Sequence, residues 1–150
     1  MLEPAFFDTN IFLYAFSEAP EDMEKREKAR SILLSHFPCL STQVMLEFTA
    51  VALRRPALGI TEPLIDSFLA GCASFHVEIL TPKTILHATE IRRRHSVSHW
   101  DGTILAAAAA SDCRTLFSED LQDGFSLGPL VVSNPFKVAG QAPSPPSANA

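Results

Sequence analysis

The chain has 150 residues, of which 47% are hydrophobic, and its 12 lysines and arginines against 17 aspartates and glutamates give a net charge of −5. This length and composition predict one packed domain, because a chain of this size buries roughly 70% of its unfolded surface. The negative charge argues against nucleic-acid binding through a basic surface spread over the whole protein, so basic clusters are considered one by one.

The cysteines and the apolar runs indicate the cellular compartment in which the protein is expected. Cys39, Cys72 and Cys113 are far apart and form no CxxC pair, which indicates neither a disulfide framework nor a zinc ribbon. The first residues lack a basic region ahead of an apolar run, and no apolar run reaches the ~18 residues that a membrane span needs. We therefore expect a soluble, non-exported protein of the cytoplasm.

Predicted strands and helices alternate along the chain. In chain order, apolar periodicity and capping residues predict a strand at 4–8, a helix at 10–17, a helix at 21–36, a strand at 38–42, a helix at 43–55, a helix at 61–73, a strand at 76–80, a helix at 82–94, a helix after Ser98, a strand at 113–118 and a strand at 130–134. This alternation predicts an α/β fold with a central, mainly parallel sheet of four or five strands, covered by helices on both faces.

The last residues differ in composition from the rest of the chain. Residues 138–150 are rich in proline, serine and alanine and contain no aromatic residue. Such a segment cannot bury enough apolar surface to fold, so we expect a disordered tail after a single domain at residues 1–137.

Four acids are predicted to meet at one edge of the sheet. Asp8 ends the first strand, Glu47 lies one turn into the helix after the second, Asp101 begins the helix before the fourth, and Asp120 follows the fourth. Ligands of open parallel sheets bind beyond the carboxyl ends of the strands, which makes this edge the candidate site.

Each acid also has a local explanation. Asp8 could cap the helix after it, Glu47 could be a solvated helix residue, Asp101 matches a capping box with Ser98, and Asp120 could belong to a turn. These explanations account for the acids singly, but they do not account for the placement of all of them at one edge.

Clustered carboxylates need a compensating cation to stay ionised at neutral pH, because like charges raise one another's pKa. Oxygen ligands without cysteine or histidine suit Mg²⁺ or Mn²⁺, which bind substrate phosphate and activate water. The acids therefore indicate a metal-dependent site that hydrolyses phosphodiester bonds.

Several segments resemble those of the PIN-domain ribonucleases, and in particular the VapC-like toxins of bacterial toxin-antitoxin pairs. The matching segments are FFDTNIFLYA, QVMLEFTAVALRR, SHWDGTILAAAAASDC and CRTLFSEDLQDG, within about residues 4–135. The resemblance implies a three-layer α/β/α fold and a Mg²⁺- or Mn²⁺-dependent endoribonuclease. Its catalytic and metal-binding acids would be Asp8, Glu47, Asp101 and Asp120.

The resemblance implies further roles and partners. Asn10 and Ser118 would support the acids by hydrogen bonds, and Asp123 is an alternative to Asp120 as the fourth acid. RNA is the implied substrate, a cognate antitoxin is the implied protein partner, and a homodimer is the implied assembly.

Basic clusters at two helix ends are candidates for RNA binding, since each could hold phosphates. They are Arg54 with Arg55, and Arg92, Arg93 and Arg94. The alternative is that these cations only favour the negative ends of the helix dipoles. Trp100, beside Asp101, could either stack on a base or anchor its helix in the core.

Other functional classes fit less well. A receiver-like phosphoacceptor is disfavoured because the third strand ends in Thr81 without an aspartate, and a haloacid-dehalogenase-like phosphatase would need DxD where the chain has Asp8-Thr9-Asn10. His95 and His99 lie outside any HExxH pattern. The alternative that stays open is a PIN fold without catalysis, acting as a binding or scaffold module in an RNA-associated complex.

Overall fold

The structure is a computed structural model that describes residues 1–137. The tail predicted at residues 138–150 lies outside the described residues. Six strands form one sheet: β1 (Pro4–Phe7), β2 (Phe37–Ser41), β3 (His76–Glu78), β4 (Thr115–Phe117), β5 (Ser126–Leu127) and β6 (Leu130–Ser133). Six α-helices accompany them: α1 (Thr9–Phe16), α2 (Met23–Ser35), α3 (Thr42–Arg54), α4 (Glu62–Gly71), α5 (Pro82–His95) and α6 (His99–Ala110).

The strand order in the sheet is β3-β2-β1-β4-β6-β5. Every neighbouring pair is parallel except β5 and β6, which are antiparallel. This arrangement confirms the predicted three-layer α/β/α domain with a mainly parallel sheet. Asp8 and the loop after β4 are neighbours because β1 lies beside β4.

Among the described residues the sheet has six strands, whereas four or five were expected. Ser126–Leu127 pairs with β6 through a tight turn, in which Gly128 takes a left-handed conformation with φ of 57°. A two-residue strand is too short to show alternation between apolar and polar residues, so the pattern alone could not reveal it.

Aromatic packing holds the helices that surround the site. The rings of Phe48 in α3 and Phe68 in α4 stack with centroids 3.9 Å apart, and Phe12 of α1 lies 5.1 Å from Phe68. Phe7 of β1 stacks on Phe117 of β4 at 5.2 Å. These contacts fix α1 and α3 relative to the ends of β1 and β4.

Helix α6 is buried on nearly all sides, because it lies between α5 and the strands β2 and β3. Its second turn and the turn after it contain buried alanines at positions 106–108. Gly102 permits the close crossing with α5, since a Cβ atom there would lie 2.8 Å from the Ala88 carbonyl oxygen. The small residues of this helix thus set the position of its first turn, which carries Asp101.

Within the described residues 1–137, no helix combines the length and the apolar character needed to cross a membrane.

Candidate active site

Carboxylates from four separate segments line one open cleft at the carboxyl ends of the parallel strands. The cleft has a volume of about 760 Å³, and its wall includes Asp8, Glu47, Asp101 and Asp120. Asp8 follows β1, Glu47 lies in α3, Asp101 lies in the first turn of α6, and Asp120 lies in the loop after β4. The topology therefore brings to one cleft the acids that are far apart in the sequence.

Asp8 is the most enclosed part of this group, with 7% of its surface exposed. It is the N-cap of α1, where its Oδ1 accepts a 2.7 Å hydrogen bond from the Thr9 amide. Its Oδ2 accepts a 2.7 Å hydrogen bond from the Ser118 hydroxyl. One carboxylate oxygen thus serves the helix end, while the other joins the polar groups of the site.

The environment of Asp8 raises its pKa from 3.8 to about 7. Burial is the largest cause, and the negative charges of Asp120 and Glu47 add to it. The hydrogen bonds from Ser118 and from the Thr9 amide oppose the rise. The raised pKa of Asp8 therefore reflects chiefly its burial, to which the charges of the neighbouring acids add.

Asn10 connects two of the acids. Its Nδ2 lies 3.4 Å from Asp8 Oδ2 and 3.1 Å from Asp120 Oδ2, so both carboxylates point an oxygen at the same amide group. Its Oδ1 accepts a 3.3 Å hydrogen bond from the Glu119 amide, which ties α1 to the loop after β4.

Ser118 shapes that loop from inside. Its side chain is fully buried, and its Oγ accepts hydrogen bonds of 3.2 Å from the amides of both Asp120 and Leu121 while it donates to Asp8. The hydroxyl therefore fixes the backbone at Asp120 and the carboxylate of Asp8 together.

Glu47 is held on both carboxylate oxygens. The Thr9 hydroxyl donates to Oε2 at 2.8 Å, and Nε2 of Gln43, one turn earlier in α3, donates to Oε1 at 2.8 Å. These donors explain how an acid with apolar neighbours in sequence is accommodated: its side chain lies on the cleft side of α3.

Asp101 combines a local role with a place in the cleft. Its amide donates a 3.1 Å hydrogen bond to the Ser98 hydroxyl at the N-cap of α6, as the capping interpretation predicts. Asp101 is 9% exposed and lines the cleft. The positive end of the α6 dipole favours a negative charge at this position.

Within residues 1–137, no group of three or more histidine, cysteine, aspartate or glutamate side chains is arranged to hold a metal ion. The donor set nevertheless suits a hydrated Mg²⁺ or Mn²⁺, which is commonly bound by one or two carboxylates together with waters and substrate phosphates. Asp8 and Asp120, which converge on the Asn10 amide, form such a pair.

A family model described as the PIN domain matches residues 5–125. The chain belongs to the PIN-domain family. No curated protein sequence matches this PIN-domain chain significantly.

Solved structures with the same fold include three that are named for toxins or toxin–antitoxin complexes. A toxin–antitoxin complex from Klebsiella pneumoniae is 17% identical, with a TM-score of 0.66 over 89% of this chain and 99% of that chain. VapC20 of Mycobacterium tuberculosis, a toxin that cleaves the sarcin–ricin loop, is 19% identical, with a TM-score of 0.63 over 77% of this chain and 91% of that chain. VapBC2 of Rickettsia felis, bound to a DNA fragment from its promoter, is 16% identical, with a TM-score of 0.62 over 87% of this chain and 98% of that chain. At identities this low, the likeness shows that the PIN-domain chain has the fold of VapC toxins.

The two candidates for the fourth acid have different surroundings. Asp120 lines the cleft. Asp123 instead accepts a 2.8 Å hydrogen bond from the Asn134 amide and a 3.2 Å one from Lys137 Nζ, and the Asn134 amide is the main cause that lowers its pKa. Asp123 thus holds the segment after β6 through these hydrogen bonds. Asp120 remains the candidate for the site.

The predicted basic clusters differ in whether they line the cleft. Arg54, in the last turn of α3, lines the cleft. Arg55 is the C-cap of the same helix, and Arg92, Arg93 and Arg94 lie in the last turn of α5, outside the wall of the cleft. Of these arginines, Arg54 is the one that lines the cleft.

Sequence reasoning missed two polar groups that act on Glu47, namely Thr9 and Gln43. The signal for Gln43 was its spacing of four residues before Glu47 on one helix face. It also missed a network in which Glu119 accepts hydrogen bonds from Tyr14 and Lys25. No sequence pattern predicts that network, because its members lie in separate segments, namely α1, α2 and the loop after β4.

Proposed function

We propose that this PIN-domain chain is a metal-dependent endoribonuclease, in which Asp8, Glu47, Asp101 and Asp120 bind the metal and carry out catalysis. The observation that supports this proposal best is the meeting of these acids in one open cleft, with the pKa of Asp8 raised to about 7. A cluster of carboxylates at the end of a parallel sheet suits a divalent cation that can in turn bind an anionic phosphate substrate.

When bound, Mg²⁺ or Mn²⁺ would stabilise the charge that develops on the phosphate and help to activate water for attack. In the hydrolysis, the water oxygen bonds to phosphorus while the bond from phosphorus to the leaving oxygen breaks. One of the four carboxylates takes the proton of the attacking water, and the leaving oxygen gains a proton as its bond to phosphorus breaks.

The surrounding polar side chains keep the acids in position for this step. Ser118 holds Asp8, Asn10 spans Asp8 and Asp120, and Thr9 holds Glu47. At Asp8, the hydrogen bonds from Ser118 and from the Thr9 amide favour the ionised carboxylate, which is the form that binds metal.

Two residues of the cleft wall are suited to contact RNA. Arg54 can pair with a backbone phosphate. Trp100 lies in the wall next to Asp101 with 49% of its surface exposed, so its ring can stack on an unpaired base. The predicted clusters at Arg55 and at Arg92, Arg93 and Arg94 would act only on a substrate that extends beyond the cleft.

We further propose that the chain is the toxin component of a VapBC-type pair in the cytoplasm, with a cognate antitoxin and a homodimeric assembly. The shared fold with solved toxin–antitoxin complexes supports an antitoxin partner. Exposed apolar surface supports protein partners in general: Leu34 is 81% exposed beside a groove of about 420 Å³, and Leu46 is 73% exposed on α3. Co-expression with the neighbouring small open reading frame should yield a complex that co-purifies, and repeated failure would leave a nuclease without an antitoxin.

The decisive experiment is cleavage of a pool of structured RNAs by the purified protein, with Mg²⁺, with chelator, and with Asp8→Asn as the control for contaminating nucleases. We expect cutting that needs both the metal and Asp8. Equal cutting by Asp8→Asn would show that the assignment of the site is wrong.

A non-catalytic binding module would give a different result. It would retain RNA in a binding assay and cut in no lane, and calorimetry would detect no Mg²⁺ or Mn²⁺ binding that depends on Asp8.

A further inference from the structure

Gln43 lies at the start of α3 and is 4% exposed, although it belongs to the wall of the cleft. Its Nε2 donates a 2.8 Å hydrogen bond to Glu47 Oε1 and lies 3.4 Å from the carbonyl oxygen of Trp100. One buried amide group therefore joins the helix that carries Glu47 to the first turn of the helix that carries Asp101.

The orientation of this amide follows from its neighbours. The Glu47 carboxylate and the Trp100 carbonyl are both hydrogen-bond acceptors, so the nitrogen of the Gln43 amide must face them. The oxygen, Oε1, then lies on the other side, where it is buried without a hydrogen-bond partner among residues 1–137.

A buried acceptor without a partner destabilises a fold, because its hydration is lost and not replaced. An apolar side chain of similar size would avoid that loss. The packing of α3 therefore does not account for glutamine at this position, whereas the donor that glutamine offers to Glu47 does.

We infer that Gln43 is a positioning residue, which keeps the Glu47 carboxylate aimed into the cleft and couples it to the first turn of α6. This inference rests on the proposed nuclease function, in which Glu47 is a metal-binding acid. Gln43 acts through Glu47, because its amide nitrogen is directed at the Glu47 carboxylate and the Trp100 carbonyl. A neutral donor is suited to this task because it orients the carboxylate without neutralising it, and so leaves the charge available to the metal.

The chemistry of the amide separates two substitutions of nearly equal size. Gln43→Met fills the same volume and has a similar helix propensity, but it removes both the donor and the unpartnered oxygen. Gln43→Glu keeps the shape and replaces the donor by a second acceptor that faces Glu47. Thr49→Val is the matched control, because it also exchanges a polar for an apolar side chain on α3, outside the wall of the cleft.

The test measures kcat, KM and the thermal unfolding midpoint of the full-length variants, together with Mn²⁺ binding by calorimetry. Gln43→Met should lower kcat by about 10- to 100-fold, as is typical when the hydrogen-bond partner of a metal ligand is removed. KM should change by less than about threefold and Mn²⁺ affinity should fall. The unfolding midpoint should change little, since the loss of the unpaired oxygen offsets the loss of the hydrogen bond to Glu47. Gln43→Glu should be impaired at least as strongly, despite its shape, and Thr49→Val should cleave like the parent.

Other outcomes overturn the inference. If Gln43→Met cleaves like Thr49→Val while the parent depends on Mg²⁺ and Asp8, Gln43 has no positioning role and the nuclease proposal stands. If Gln43→Met loses activity only in proportion to a lowered unfolding midpoint, Gln43 is a structural residue. If the parent neither cleaves RNA nor binds Mn²⁺, the proposed function fails and the inference fails with it.

Discussion

Raising the pH through neutrality should destabilise the metal-free protein, because burial keeps Asp8 protonated in the folded state. The pKa of Asp8 is about 7 in the fold, against 3.8 for the unfolded carboxyl group. Between these values the folded state binds a proton that the unfolded state has released, so the free energy of unfolding decreases as pH rises. Above about 7 both states are ionised, and the loss is complete.

The size of the effect follows from the shift. Each pH unit between the two pKa values is worth about 1.4 kcal/mol. An experiment from about pH 5 to about pH 8 covers roughly two of those units, so Asp8 should contribute a loss of about 3 kcal/mol. A loss of that size is a large fraction of the 5–15 kcal/mol that is typical of folded domains, so it should be readily measurable.

Urea unfolding followed by circular dichroism, in chelator, would measure this loss in the parent and in Asp8→Asn. Asparagine is also a good N-cap and can keep the bond from the Thr9 amide, but it does not titrate. The other ionisable groups are present in both proteins, so the difference between the two pH profiles reports chiefly Asp8. Parallel profiles would refute the assigned protonation of Asp8.

Divalent metal provides the second arm of the same experiment. A cation bound beside Asp8 favours the ionised carboxylate, so Mg²⁺ or Mn²⁺ should restore much of the stability of the parent at about pH 8. Asp8→Asn should gain much less from the metal. Equal gains in both proteins would show that Asp8 is not a ligand.

Two further predictions concern the position of Asp101 and the identity of the fourth acid. Gly102→Ala should destabilise the fold by about 1–3 kcal/mol and lower RNA cleavage, because the new Cβ would meet the Ala88 carbonyl oxygen at 2.8 Å and displace the turn that carries Asp101. A Cβ atom at Gly71 in α4 would meet no other atom within 4 Å, so Gly71→Ala should instead stabilise the fold by about 0.5–1 kcal/mol. Urea unfolding would measure both variants, and equal effects would contradict the close-packing argument. In parallel cleavage assays, Asp120→Asn should abolish most activity, whereas Asp123→Asn should retain activity and lose stability; the reverse pattern would make Asp123 the fourth acid.

The sequence was sufficient for the order of the main elements, because strands and helices differ in the period of their apolar residues. The residues of the candidate site could be named for two reasons. The ends of parallel strands share one edge, and the resemblance supplied the set of acids. Neither reason gives hydrogen-bond partners, which depend on side chains brought together from distant segments. The bonds from Thr9 and Gln43 to Glu47, and the bridge of Asn10 to Asp120, could therefore be seen only in the structure.

The local explanations of the acids turn out to be compatible with the functional one. Asp8 caps α1 with Oδ1 and joins the polar group of the cleft with Oδ2, and Asp101 donates its amide to Ser98 while its residue lines the cleft. A cap fixes the backbone at the end of a helix, and a fixed backbone restricts where the side chain of that residue can point. The capping interactions therefore reduce the freedom that these carboxylates would lose on binding a metal ion. The N-terminus of a helix is therefore a favourable position for an acidic metal ligand, because the interaction that stabilises the helix also preorganises the site.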